Sequence, residues 1–264
     1  MEPVNHGGSM AQARSKIRLF VDAPLGADAG VGMDVSLTRD QAHYLFGVMR
    51  LGVGDALLIF NGRDGEWQAE VTEAGKRAGR LVCRAQTRPQ TQPPDLWLCF
   101  APIKKARTDF IAEKACEMGC ARLQPVFTQH TNAERVNVDR LRAHAIEAAE
   151  QCGMVSVPEV AAPVSLTKLL EGWDANRQIL FCDETGEGLQ ARDLLTKVGA
   201  VPSLRDAPWA VLIGPEGGFS TEEAERLRQM PGTHAVSLGP RILRADTAAV
   251  AALTLWQATL GDWR

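Results

Sequence analysis

Two glycine-rich stretches in the C-terminal third of the chain have the composition of a ligand-binding backbone. The first, residues 212–220, reads LIGPEGGFS, and the second, residues 238–248, reads LGPRILRADTA. Glycine lacks a Cβ atom, so it permits positive φ and lets a ligand approach the backbone closely. Each stretch leads into a helical pattern, and the first amides of a helix have no partner within it. We expect a small molecule such as an adenine ring to bind here through main-chain hydrogen bonds and apolar contacts.

Neither stretch matches the common phosphate-binding motifs. The first lacks the Gly-Lys-Ser/Thr of a P-loop and the G-x-G-x-x-G of dinucleotide-binding folds. A simple tight turn would also account for Gly-Pro-Glu-Gly-Gly. The second glycine–proline loop follows one helix later and is followed at once by Arg241 and Arg244. This pairing favours a ligand site, because ligands of parallel sheets bind at the carboxyl ends of strands.

Apolar runs that alternate with helical patterns predict the elements that position these loops. The runs read as buried strands at 96–100, 123–127, 178–182, 209–213 and 235–238. Helices are predicted over 104–120, over 139–152, from a capping box at 220–223 to about 230, and over 247–260 with Asp246 as the cap. Strands and helices that alternate along the chain, with strands that are apolar throughout, predict an α/β fold with a parallel sheet.

The N-terminal part of the chain has a different sequence pattern. Short strands separated by glycine turns predict a small β-barrel over residues 17–90. Residues 1–16 are small and polar and predict a flexible tail. Residues 86–95 hold three prolines among polar residues and predict a linker, so the second domain is placed at 91–264.

Bulk properties restrict the function classes. The net charge is −3 over 264 residues, so any nucleic-acid contact requires a local basic face. No apolar run reaches the length of a membrane span, and no signal-peptide pattern is present at the start. The six cysteines form no C-x-x-C pair and suit a reducing cytoplasm. Cys116 and Cys120 have no histidine at ligand spacing, so no metal site is predicted.

The two stretches together resemble the family of bacterial small-subunit ribosomal RNA uridine N3-methyltransferases, which belongs to the SPOUT class of knotted methyltransferases. The similarity extends over nearly the whole chain. The segments 104–119 and 148–151 resemble the family's first two core helices, and 18–21, 48–50 and 60–62 resemble its PUA-like barrel.

The resemblance implies a C-terminal trefoil-knotted SPOUT methyltransferase domain with a parallel sheet and a small N-terminal PUA-like β-barrel. It also implies S-adenosylmethionine as cofactor, a cytoplasmic homodimer, and N3-methyluridine in 16S rRNA as product. Two departures stand out. The family usually has an arginine after Glu150-Gln151, where this chain has none before Pro158, and it usually has Glu at the position of Asp246.

Four residues are predicted to take part in catalysis. N3 of uridine must lose its proton, and the resulting anion spreads charge onto O2 and O4, where a cation would stabilise it. Arg244 and Arg241 are predicted for this role, although either could instead pair with Asp246 or Glu216 and only brace its loop. Glu150 and Asp246 are the candidate general bases, although a helix-cap or ion-pair role is the favoured alternative for each.

Two further sets follow from the resemblance and from local charge. RNA contact is predicted at Arg18, Arg50, Lys104, Lys105 and Arg107. Arg14 and Lys16 are predicted to contribute to the same basic surface. The cofactor is predicted to contact Leu212, Ile213, Gly214, Pro215, Glu216, Gly217, Gly218, Phe219, Leu238, Gly239, Ile242, Leu243, Thr247 and Ala248.

Two other functions remain open at this point. The chain could be a SPOUT enzyme that acts on another RNA base. It could also be a non-catalytic RNA-binding factor of ribosome assembly that has kept the fold, although the intact glycine loops argue against this.

Overall fold

The computed structural model describes residues 17–25, 31–185 and 188–263. The chain divides into two compact units, Met1–Thr91 and Gln92–Arg264. The predicted tail of residues 1–16, with Arg14 and Lys16, lies outside the described residues.

The N-terminal unit is built on a five-stranded sheet. Its strands are β1 (Arg18–Phe20), β2 (Asp34–Ser36), β3 (Ala56–Phe60), β4 (Glu66–Ala74) and β5 (Gly79–Arg88). Their order is β1-β3-β4-β5-β2, in which β1 and β3 are parallel and the other pairs are antiparallel. Apolar side chains that alternate along β3 and β4 form the core of this unit.

A short helix follows β2 in the N-terminal unit. Thr38 caps α1 (Arg39–Ala42) through a capping box with Gln41. The helix continues as a π-helical segment over His43–Val48. The two helical segments together span 39–48.

The predicted linker begins too early, because β5 continues to Arg88. Glu66 is buried at the start of β4, and it accepts hydrogen bonds from Thr87 Oγ1 at 2.9 Å and from Arg88 Nη2 at 2.7 Å. Burial alone would raise the pKa of Glu66, but hydrogen bonds from Arg88, Arg18 and Thr87 outweigh it, so the pKa lies below its ordinary value. This buried carboxylate keeps the last residues of β5 in the sheet.

The C-terminal unit contains a parallel sheet, as predicted. Its strands are β6 (Leu96–Phe100), β7 (Arg122–Phe127), β8 (Glu159–Val160), β9 (Val164–Ser165), β10 (Gln178–Cys182), β11 (Leu189–Gln190), β12 (Trp209–Ile213) and β13 (Thr233–Ser237). The order is β11-β13-β10-β12-β6-β7-β8, with β9 beside β7, and every pair is parallel. The central strand β12 is buried over its whole length.

Helices connect these strands. They are α2 (Lys105–Glu117), α3 (Val138–Cys152), α4 (Leu166–Glu171), α5 (Ala191–Gly199), α6 (Pro202–Arg205), α7 (Thr221–Gln229) and α8 (Ala245–Thr259). The first two long helices lie close to their predicted positions, whereas α4, α5 and α6 were not predicted. No helix among the described residues has the length and apolar character needed to span a bilayer.

The starts of α7 and α8 differ in their capping. Ser220 and Glu223 form the predicted capping box of α7, with both reciprocal hydrogen bonds present. The prediction that Asp246 caps the last helix is wrong. Helix α8 begins one residue before it, Arg244 is the N-cap, and Asp246 Oδ1 accepts from the amide of Thr247 at 2.9 Å. Asp246 instead occupies the first turn, where a carboxylate is favoured by the helix dipole.

A single buried amide fastens α8 to the end of α2. Gln257 is fully buried, and its Nε2 donates to the carbonyl of Met118 at 2.6 Å. Its Oε1 accepts from the amide of Asp262 at 3.1 Å. Because both polar atoms of the side chain are bonded, they carry little desolvation penalty.

We expect Gln257→Leu to lower the free energy of unfolding by about 1–3 kcal/mol, because it leaves the carbonyl of Met118 and the amide of Asp262, both in part-buried hydrogen bonds, without partners. Urea unfolding followed by far-ultraviolet circular dichroism measures this. Gln151→Leu, on an exposed position of α3, is the matched control and should change stability by less than about 0.5 kcal/mol. Equal stability of the two variants would contradict the role of Gln257.

Candidate functional site

The two glycine-rich loops lie at the same edge of the parallel sheet. One follows β12 and the other follows β13, so both leave the carboxyl ends of their strands. However, the strands are not neighbours, because β10 lies between them. The residues after β10, Cys182 to Thr185, therefore stand between the two predicted walls and form a third one.

Two adjoining cavities occupy the space between these three loops. The larger, of about 590 Å³, lies against the loop after β13, and the smaller, of about 190 Å³, lies against the loop after β12. They share five lining residues, Cys182, Glu184, Ile242, Leu243 and Ala248. We call the two together the loop cavity.

Most of the predicted cofactor residues line the loop cavity. The residues that line it are Ile213, Gly214, Pro215, Glu216, Gly218, Leu238, Gly239, Ile242, Leu243 and Ala248. Four others do not. Leu212 and Phe219 belong to the apolar core behind the loop, Gly217 lies against His130, and Thr247 is exposed on the first turn of α8.

Two positions of the first loop require glycine, because neighbouring side chains lie too close to the backbone for a Cβ atom. A Cβ on Gly214 would lie 2.6 Å from the ring of Phe219, which packs edge-on against Phe181 at 5.1 Å between centroids. Gly218 has φ of +69°, and a Cβ there would overlap Oε1 of Glu184. The backbone of this loop is therefore held close to its neighbours on both sides.

The sequence patterns did not identify Glu184. Its Oε1 accepts from the amide of Phe219 at 3.0 Å, so it joins the loop after β10 to the loop after β12. This bond also corrects an expectation, because the amide of Phe219 and that of Ser220, which donates to Glu223, are not free for a ligand. The available signal was an Asp-Glu pair directly after an apolar strand.

The neighbouring Asp183 anchors this third loop. Its Oδ2 accepts from Nε of Arg228 at 3.1 Å and also from Nη2, while Oδ1 accepts from the amide of Thr185 at 3.0 Å. Burial alone would raise the pKa of Asp183, but the hydrogen bonds from Arg228 and Thr185 outweigh it and hold the pKa below its ordinary value. The stability that this ion pair contributes is present above the unfolded pKa and is lost as pH falls through the lower, folded pKa.

We expect Arg228→Met to destabilise the protein by about 2–3 kcal/mol at pH 7, because it leaves Asp183 buried without its cation and Arg228 itself is partly exposed. The difference from wild type should shrink as the pH falls through the unfolded pKa of the carboxyl group towards its lower folded pKa, because protonation of Asp183 removes the charge that Arg228 balances. Denaturant unfolding at pH 7 and at pH 3.5 measures it. Arg226→Met, an exposed position on the same helix, is the control. A difference that does not change with pH would contradict this explanation.

Both predicted catalytic arginines lie at the loop cavity. Arg241 lines its larger part and Arg244 its smaller part, and both side chains are exposed. None of the ion pairs among the described residues includes either arginine. The alternative in which they only brace their loop through Asp246 or Glu216 therefore finds no support in the geometry.

Asp246 has another partner. Its Oδ1 lies 3.5 Å from Nη1 of Arg107, which was predicted as an RNA ligand. The pair joins the first turn of α8 to the first turn of α2. The structure therefore brings Arg107 and Asp246 together beside Ala245, which lines the loop cavity.

Glu150 is not brought to the loop cavity. It lies in the last turn of α3. At the end of this helix, Cys152 contacts Cys116, which lies near the end of α2. Strand β8 then starts with Glu159 paired to Arg122, the first residue of β7. This is the amino edge of the sheet, opposite the loops, so the predicted role of Glu150 as a general base is not supported by the geometry of one chain.

The predicted RNA ligands have different environments. Lys104 and Lys105 are exposed at the start of α2, and Arg50 is exposed in the N-terminal unit with φ of 60°. The prediction for Arg18 is corrected by the structure. Its Nε donates to Glu66 at 2.7 Å, its guanidinium lies 4.5 Å from the centroid of Phe60, and only 10% of the side chain is exposed. Arg18 is thus part of the core of its unit.

Comparison with known families identifies the class of this site. The RNA methyltransferase domain family matches residues 90–257, and the RNA methyltransferase PUA domain family matches residues 37–82. Since the first match covers more than half of the chain, this protein belongs to the RNA methyltransferase family and carries the PUA domain of such enzymes.

Individual relatives agree with this assignment. The chain is 29% identical over 237 residues to ribosomal RNA small subunit methyltransferase E of Rickettsia conorii, covering 89% of this chain and 93% of that one. A methyltransferase from Legionella pneumophila, solved with bound SAM, is 27% identical with a TM-score of 0.80, covering 94% and 99%. The small subunit methyltransferase E of Neisseria gonorrhoeae shares the fold, with a TM-score of 0.81, 24% identity and the same coverage.

Proposed function

We propose that this protein is an S-adenosylmethionine-dependent methyltransferase that methylates N3 of a specific uridine in the 16S rRNA of the small ribosomal subunit. One observation carries the proposal. In a domain of the RNA methyltransferase family, the two glycine-rich loops meet in one cavity that also presents Arg241 and Arg244. The name of the Rickettsia relative supports rRNA as the substrate, and the SAM-bound Legionella structure supports the cofactor.

The residues of the loop cavity fit this cofactor. A nucleoside needs close backbone approach and apolar contact. Gly239, where a Cβ would meet nothing within 4 Å, allows the close approach, and Ile242 and Leu243 provide the apolar contact. Glu184 adds a carboxylate at the junction of the two parts, where it can accept hydrogen bonds from ribose hydroxyls. When bound, S-adenosylmethionine supplies an electrophilic methyl group.

The arginines supply the electrostatic part of the chemistry. Deprotonation of N3 leaves a negative charge shared with O2 and O4 of the uracil ring. A guanidinium is always charged and donates in a planar fork, so Arg244, with Arg241 as second donor, is placed to stabilise that anion. We assign Asp246 to holding Arg107 rather than to removing the proton, because its carboxylate is engaged by Arg107 and by the amide of Thr247.

The sheet order supports the proposed trefoil knot. The chain passes from β12 across β10 to β13, and then returns to pack α8 against β12 and α2. We propose that this return threads the last segment through the loop after β12. Ordinary folds avoid such threading, so the connection must serve the site that it builds.

We also propose a homodimer whose interface includes the start of α8. Ile242 is 86% exposed, although isoleucine is usually buried, and the helix that follows is rich in alanine. Because Ile242 also lines the loop cavity, this interface would adjoin the cofactor.

The expected result of Ile242→Asp is a shift from dimer to monomer at low micromolar concentration, because a charge would be desolvated in the interface. Size-exclusion chromatography with light scattering measures the mass. Val201→Asp, at another exposed apolar position, serves as the control and should remain dimeric. A wild-type monomer, or a dimeric Ile242→Asp variant, would contradict this interface.

The N-terminal unit is proposed to bind RNA, through Arg50 and other exposed cations. Its PUA assignment supports this role. An enzyme of ribosomal RNA acts where ribosomes are assembled, so the proposed function implies a cytoplasmic location. The cysteines, all of which are free thiols, agree with this location.

The function is tested by incubating the protein with S-adenosylmethionine and small ribosomal subunits that lack the modification. Nucleosides from the digested rRNA are then analysed by mass spectrometry. We expect one N3-methyluridine per subunit. Methylation at another base would indicate a different RNA specificity, and failure to bind S-adenosylmethionine in calorimetry would indicate a non-catalytic factor.

A further inference from the structure

A second, larger groove lies at the carboxyl edge of the same sheet. It has a volume of about 960 Å³ and runs between the start of α2 and the segment that leads from β7 into α3. Its apolar floor includes Pro102, Ile103 and Leu141, and its cations include Lys105 and Arg135. We call it the α2–α3 groove. Neither the glycine loops nor the predicted catalytic residues line it.

A small cavity adjoins both this groove and the loop cavity. It has a volume of about 220 Å³ and shares Pro215 and Glu216 with the loop cavity. It also shares Pro102, Ile103 and Ala133 with the α2–α3 groove. Lys104 and Asn132 complete its lining. An extended ligand could therefore run continuously from the arginines of the loop cavity to Lys105 and Arg135.

The charges along this path are arranged unevenly. Arg140, which also lines the groove, forms a bidentate ion pair with Asp109, with Nη2 at 2.6 Å from Oδ2 and Nε at 2.8 Å from Oδ1. By contrast, Lys104, Lys105 and Arg135 are exposed and belong to none of the described ion pairs.

Two carboxylates, Glu134 and Asp139, also line the groove and would repel phosphate. They favour anionic groups at the exposed cations Lys104, Lys105 and Arg135, while bases can lie against the apolar residues of the groove.

The chemistry of the proposed reaction selects one occupant. N3 of uridine is a Watson–Crick donor, so the target base must be unpaired when it is methylated. Single-stranded RNA is bound by cations along its backbone and by flat contacts to its bases, for which a guanidinium is as suitable as an aromatic ring. The α2–α3 groove offers both kinds of contact next to the loop cavity.

We propose that the α2–α3 groove binds the single-stranded nucleotides that flank the target uridine, with Lys105 and Arg135 contacting their phosphates. This inference rests on the proposed function. It assigns to the segment from Thr128 to Asn137 a role in positioning the RNA, which its polar composition alone does not indicate.

The test compares the Lys105→Ala/Arg135→Ala double variant with wild type. We expect KM for unmodified small subunits to rise about tenfold or more at 150 mM salt, with kcat changed less. We also expect the slope of log affinity against log salt to fall by about two, one for each phosphate contact. The dissociation constant for S-adenosylmethionine should stay within about twofold of wild type. Lys168→Ala/Lys197→Ala, at exposed positions outside every cavity described above, is the charge-matched control.

Unchanged RNA affinity and salt slope in the double variant would overturn the inference. A rise in KM with an equal loss of S-adenosylmethionine affinity would also overturn it. The two substitutions would then be weakening cofactor binding in the loop cavity rather than RNA binding in the groove. If wild type transfers no methyl group, the proposed function fails, and filter binding of rRNA to the same variants still decides whether the groove holds RNA.

Discussion

Arg244→Ala is expected to lower the rate of methyl transfer by about 10²–10³-fold, the range for losing one donor to a developing oxyanion. The guanidinium of Arg244 lies at the smaller part of the loop cavity and has no described ion-pair partner. Because the anion exists only after N3 loses its proton, the loss should fall on kcat. Single-turnover transfer of a labelled methyl group to small subunits measures it.

Two controls separate this role from loop bracing. S-adenosylmethionine binding by calorimetry should remain within about threefold of wild type, since the glycine backbone is unchanged. Arg241→Ala, in the larger part of the cavity, should lose less activity. Retained turnover in Arg244→Ala would contradict the assignment, and so would a loss of cofactor binding that explains the whole effect.

Gly218→Ala is expected to weaken S-adenosylmethionine binding by roughly 10- to 150-fold. The new Cβ would overlap Oε1 of Glu184 and break its bond to the amide of Phe219. Losing a hydrogen bond to a charged group costs about 1.5–3 kcal/mol, which gives that range of affinity. Calorimetric titration with S-adenosylmethionine measures it.

Gly153→Ala is the matched control for this prediction. Gly153 also has positive φ, at +82°, so alanine adds a similar backbone strain of about 1–2 kcal/mol. However, a Cβ there meets nothing within 4 Å, and Gly153 caps α3 far from the loops along the chain. Cofactor affinity that falls equally in both variants would show that strain alone, and not the contact with Glu184, is responsible.

The loop cavity could be predicted in large part from the sequence because its walls are backbone. Gly214 and Gly218 mark close approaches of the backbone to its neighbours, Gly239 has positive φ, and the carboxyl ends of parallel strands share one edge. The order of the strands within the sheet cannot be predicted from any local sequence pattern. For this reason Glu184, in the loop after the strand that lies between β12 and β13, was not identified.

Side-chain roles were predicted less well than backbone roles, because they depend on partners distant in sequence. Arg18 was expected at an RNA surface, but its partner Glu66 is 48 residues away. Asp246 was expected to cap a helix or act as a base, but Arg107 engages it from 139 residues away. Glu150 has a suitable carboxylate, but α3 carries it to the opposite edge of the sheet. Local composition cannot reveal any of these pairings.

The most direct test of the central claim is mass spectrometry of 16S rRNA from a strain that lacks this gene. We predict that one N3-methyluridine disappears, that the wild-type gene restores it, and that the Arg244→Ala gene does not. Unchanged N3-methyluridine in the deletion strain would contradict the proposed function. Restoration by the Arg244→Ala gene at wild-type level would contradict the proposed role of the arginine.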